Sequence, residues 1–65
     1  MRYKIDIWQY HSVVDNYESD DIESILKYFR SRWYYIYDYG MCSFTVYEGE
    51  RELSFDELYD LGFYD

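Results

Sequence analysis

The sequence predicts a small α+β domain: a mainly antiparallel sheet of three or four strands, ordered β-α-β-β-β-α along the chain, with the first helix packed on one sheet face. Three observations carry that expectation. Residues 2–8 alternate, with Tyr3, Ile5 and Ile7 on one side and Arg2, Lys4 and Asp6 on the other, the pattern of a half-buried strand. Ile22, Ile25, Leu26 and Phe29 recur at i, i+3, i+4, i+7, one apolar stripe of a helix. Aromatic and β-branched runs then bracket two turn signals, at 38–40 and at Glu48-Gly49.

Each element has its own local cause. Residues 11–18 read as a connection after the first strand. Ser19 suits a helix N-cap, with Asp20 and Asp21 in the first turn where carboxylates complement the dipole; Lys27, Arg30 and Arg32 favour its C-terminal end. Residues 33–39, with five aromatics in seven positions, read as a strand, turning at Asp38-Tyr39-Gly40 into "MCSFTVY". A two-residue turn at Glu48-Gly49 leads to a short strand at 50–53. "SFDE" then matches a capping box, Ser54 with Glu57, ahead of a short helix whose apolar side is Phe55, Leu58 and Tyr59, with Gly62 as its C-terminal cap.

The two turns together sort the side chains. Pairing outward from them puts Tyr34, Ile36, Cys42, Phe44, Val46 and Leu53 on an apolar face. Trp33, Tyr35, Tyr37, Met41, Ser43, Thr45, Tyr47, Glu50 and Glu52 fall on the other. Arg51 alone lands on the wrong side. The second face is rich in tyrosine, which offers a large rigid contact area and keeps a hydroxyl for water or a partner. Three readings follow: the C-terminal helix covers it as a second small core, it meets a partner, or it meets a second copy of the chain.

Length and charge bound the function. The 65 residues make one domain, 1–65, short enough to bury only about 60% of its unfolded surface. Cys42 is the only cysteine, so no internal disulfide forms, and a cytoplasmic location is expected. Nothing resembles a leader or a span of the roughly 20 apolar residues a membrane helix needs. The net charge is −8. Residues 1–32 hold five bases against six acids, a net −1; residues 33–65 hold one base against eight acids, a net −7. Such a chain does not neutralise phosphates, so no direct nucleic-acid or membrane partner is expected. It is steered instead toward basic surfaces.

No enzyme, cofactor or metal is expected. His11, Ser12 and Asp15 lie within five loop positions, without the separate scaffolds a triad needs. An EF-hand starting at Asp15 would need glycine where Asp20 stands and glutamate where Leu26 stands. Cys42, on the apolar face, is expected as a buried inert thiol.

The acids remain. Glu50, Glu52, Asp56, Glu57 and Asp60 form a row toward the C-terminus, with Trp33, Tyr35, Tyr37 and Tyr47 beside them as the partner-binding set. Asp15, Glu18, Asp20, Asp21 and Glu23 form a secondary acidic cluster. Rows of carboxylates with few compensating bases imitate the charge of nucleic acid. In size and composition the chain resembles the small acidic inhibitors that phages and mobile elements direct against restriction, CRISPR or repair enzymes. That resemblance implies a DNA mimic that blocks a basic nucleic-acid-binding protein. The alternative is a generic interaction module or homodimer whose acids only give solubility.

Overall fold

In a computed structural model, which describes residues 2–34 and 42–64, four antiparallel strands and two helices follow in the order β-β-α-β-β-α. Strand β1 is Tyr3–Gln9 and β2 is Ser12–Ser19. Helix α1 is Ile22–Arg32, β3 is Cys42–Glu48, β4 is Arg51–Glu52 and α2 is Phe55–Leu61. The sheet order is β2-β1-β3-β4. The α+β class, the antiparallel sheet and the helix on one of its faces are as the sequence predicts.

The order of elements differs from β-α-β-β-β-α at two places. Where a connection is expected over residues 11–18, Ser12–Ser19 form a strand. Tyr10 and His11 form a two-residue loop, and β2 returns along β1 with Ile5 opposite Tyr17 and Trp8 opposite Val13. Its sequence hides it for physical reasons. β2 is an edge strand, mostly exposed, so neither side needs to be apolar. The register slips between Ile7 and Trp8, leaving Val14 extra and breaking the alternation. The loop also lacks the Asn-Gly or Gly-X pair that announces a hairpin; Tyr10 itself takes the positive φ, 58°.

The second correction is at Trp33 and Tyr34. Trp33 is the C-cap of α1, with φ −60° and ψ −52°, and its N–H donates to the Phe29 carbonyl, as in a continuing helix. Both edges of β3 are already taken, by β1 and β4. Ile7, not Tyr34, stands opposite Phe44. The expected hairpin loop at Asp38-Tyr39-Gly40, and Tyr35, Ile36, Tyr37 and Met41, lie outside the described residues.

Smaller shifts follow the same logic. β2 runs as far as Ser19, which pairs with Tyr3. The N-cap of α1 is therefore Asp21, whose carboxylate accepts from the Glu23 N–H, while the Ser19 hydroxyl accepts from the Asp21 N–H. The last turn is Gly49-Glu50, one residue later than expected, with Glu48 opposite Arg51 and Tyr47 opposite Glu52. Gly49 holds φ 63° there. That shift leaves Arg51 on the core side of the sheet but moves it out to the rim, opposite Glu48, with which it is ion-paired at 3.3 Å. Leu53 takes the place beside Val46, donating its N–H to the Val46 carbonyl at 2.8 Å.

The core lies between one sheet face and both helices. Ile25, Leu26 and Phe29 of α1 and Leu58 of α2, with Phe63 just beyond, pack on Ile5, Val46 and Leu53. Trp33 closes the end of this core, stacking on Phe29 at 5.5 Å and meeting Phe44 edge-on at 5.1 Å. Cys42, expected buried, is half-buried near the sheet end.

Candidate interaction surface

Because directly paired residues share a face, the second side of the sheet carries Lys4, Asp6 and Trp8 from β1. Val13, Asn16 and Glu18 come from β2, Ser43, Thr45 and Tyr47 from β3, and Glu52 from β4. Both helices pack on the opposite side, so α2 does not cover this face. Tyr47 and Glu52 face each other here, half-buried and exposed respectively. Asp6, on an alternating strand expected to point to solvent, is 7% exposed, with Lys4 Nζ 3.7 Å from its Oδ1. Trp33 is not on this face at all; it belongs to the core cluster.

The C-terminal acids are not one row. Glu50 sits in the turn, Glu52 on the second sheet face, and Asp56 and Asp60 on one flank of α2 at i, i+4. Glu57 serves the fold. Its Oε1 accepts from Arg51 Nη1 at 2.8 Å and from the Ser54 N–H at 3.1 Å, while Ser54 Oγ accepts from the Glu57 N–H, completing the capping box. Hydrogen bonding from Arg51, then from the Ser54 backbone, holds the Glu57 carboxyl down to about 2. Glu48 is likewise lowered, chiefly by the hydrogen bond from Arg2.

The secondary cluster also disperses. Asp15 and Glu18 fall on opposite faces of β2, since Asp15 pairs with Ile7 and Glu18 with Lys4. Asp21 caps α1 and Asp20 accepts from the Arg2 N–H at 2.9 Å. Glu23 stands in the first turn of α1.

Of Phe55, Leu58 and Tyr59, expected as the apolar side of the C-terminal helix, only Leu58 is buried; Phe55 and Tyr59 are exposed, and Tyr64 just beyond α2 joins them. Phe55 is 61% exposed, Tyr59 59% and Tyr64 37%. Their rings touch: Phe55 to Tyr64 at 4.8 Å and to Tyr59 at 6.4 Å between centroids. Tyr64 in turn leans on Phe44 at 5.6 Å, which joins the ridge to the core. Helical periodicity puts Phe55 and Tyr59 on one side together, but a seven-residue helix at the rim of a small core buries only Leu58. The length of that helix was the available signal. Asp56 and Asp60 flank the ridge, and α2 carries no base in its last turn.

The bases are largely used within the fold. Arg2 lies 2.7 Å from Glu48 Oε2 and over the Tyr3 ring at 5.1 Å. Arg51 joins Glu48 and Glu57. Arg30 donates to the Gly62 carbonyl at 3.1 Å, and Arg32 lies over Tyr28. Among the described residues, Glu18, Glu23, Glu50, Glu52, Asp56 and Asp60 form no ion pair. Among the same residues no helix is long and apolar enough to cross a membrane, and no group of three or more His, Cys, Asp or Glu is placed to hold a metal ion. No protein-family model, curated protein or solved structure matches the chain.

Proposed function

We propose that this chain is a non-enzymatic acidic binding protein that occupies the basic surface of a nucleic-acid-binding protein, in the manner of a nucleic-acid mimic. One observation carries the reading. The bases at the sheet edge are spent on Glu48 and Glu57, while among the described residues Glu50, Glu52, Asp56 and Asp60 form no ion pair, and Asp56 and Asp60 share α2 with the exposed Phe55 and Tyr59. Unpaired carboxylates on a rigid frame raise the rate of encounter with a basic surface, and nearby rings supply apolar contact once the charges meet.

The test is binding to a captured basic partner at several salt concentrations. Affinity falls steeply as salt rises, because screening shortens the attraction. Changing Glu50, Glu52, Asp56 and Asp60 together to their amides slows association at least about ten-fold. Equal binding at low and high salt overturns the reading.

A second reading, a self-associating module whose acids give solubility, is favoured by β2. This eight-residue strand ends the sheet, so its outer backbone groups can pair with another copy. The bulge at Val14 and the Glu18 charge oppose such pairing. Sedimentation as a dimer with protected β2 amides would favour it.

A further inference from the structure

We propose that the α2 ridge, Phe55, Tyr59 and Tyr64 flanked by Asp56 and Asp60, is the contact surface for the partner and reads arginine in preference to lysine. This rests on the reading above, that the partner is basic. An exposed cluster of three touching rings is unusual in so small a chain, where apolar surface is scarce for the core. The ridge is also held firmly. Gly62 caps α2 at φ 98°, its N–H donating to the Tyr59 carbonyl, and Phe63 behind it is buried. Arg30 of α1 fastens the Gly62 carbonyl from below. Side chains on such a base lose little freedom on binding.

The occupant follows from charge. Asp56 and Asp60 stand one helical turn apart and form no ion pair among the described residues, in a protein of net charge −8. A guanidinium can lie flat on an aromatic ring and bond a carboxylate through its edge in the same pose; an ammonium, being a compact strongly hydrated charge, gains less from the ring. The fold already uses this combination where Arg2 covers the Tyr3 ring and bonds Glu48. At α2 the rings and the carboxylates of Asp56 and Asp60 are present, and among the described residues no guanidinium is ion-paired to either carboxylate.

The experiment titrates the isotope-labelled protein at low salt with a nine-residue polyarginine peptide and, separately, with the matching polylysine peptide. Amide shifts should concentrate on residues 55–64, and polyarginine should bind about five-fold more tightly. Phe55→Leu, which keeps apolar bulk but removes the ring, should abolish that preference while the amide spectrum shows an intact fold. Asp56→Asn with Asp60→Asn should weaken both peptides. Shifts spread equally over Glu18, Glu23 and Glu52, with arginine and lysine bound alike, would overturn the ridge and leave the basic-partner reading standing. Failure of both peptides to bind anywhere at low salt would overturn both readings.

Discussion

Helices α1 and α2 divide the work of the domain between them. α1 has eleven residues and puts Ile25, Leu26 and Phe29 into the core, with Arg30 and Arg32 in the last turn where they complement the dipole. α2 has seven, buries Leu58 alone, and turns Phe55 and Tyr59 outward between acids. The first helix is amphipathic in the ordinary sense. The second has four apolar or aromatic residues in seven and leaves Phe55, Tyr59 and Leu61 exposed. In a chain of 65 residues that is costly for stability, since little other apolar area is available. The contrast separates residues that make the fold from residues that the fold presents.

The contrast is sharpest at Phe29. It is 1% exposed and touches Trp33, Phe44 and Phe63, so Phe29→Ala should cost about 3–5 kcal/mol and leave little or no cooperative unfolding transition. A stable, cooperative variant would break the assignment of α1 as the structural helix.

Next in size is the start of α2. Ser54→Ala removes the cap and should lower stability by about 1 kcal/mol in chemical denaturation. The same cap gives a pH dependence. The Glu57 carboxyl is depressed in the folded state, so its contribution is fully present above the ordinary carboxylate range and is lost as pH falls toward about 2. Glu57→Gln should therefore flatten the acid limb of the stability profile, between the usual carboxylate value of 4.5 and about 2.

The smallest effects belong to the exposed side of α2. Tyr59→Ala should change stability by no more than about 0.5 kcal/mol, a surface-sized effect. Asp56→Asn with Asp60→Asn should leave stability equal or raise it by a few tenths of a kcal/mol, because like charges at i, i+4 repel. A loss near that of Phe29→Ala at either site would erase the distinction between the two helices.

The same distinction explains what could be read from the residues alone. The stripe of α1, the capping box Ser54/Glu57 and the alternation of β1 were legible because each is a local pattern tied to burial or to an orphan backbone group. β2 was not, because an exposed edge strand with a bulge obeys no burial pattern, and Tyr10 fills a turn position that glycine usually marks. Trp33 and Tyr34 have strand-favouring side chains, yet Trp33 continues α1 because its ring completes the core against Phe29 and Phe44. Tertiary contact outweighed propensity there. At the candidate surface the abundance of acids was plain, but not which were free. Glu57 and Asp21 are fastened into caps, and only the fold shows that Asp56 and Asp60 are left beside exposed rings.

The most direct measurement of the proposed function is a displacement titration. The basic protein recovered on the immobilised chain is loaded with a fluorescent nucleic acid, and the free chain is added at low and at high salt. We expect stoichiometric loss of the nucleic-acid signal at low salt, weakening as salt rises, and a clear loss of potency for the chain carrying Phe55→Leu, Asp56→Asn and Asp60→Asn. A ternary complex, with nucleic acid and this protein bound to the partner together, would contradict the mimic reading.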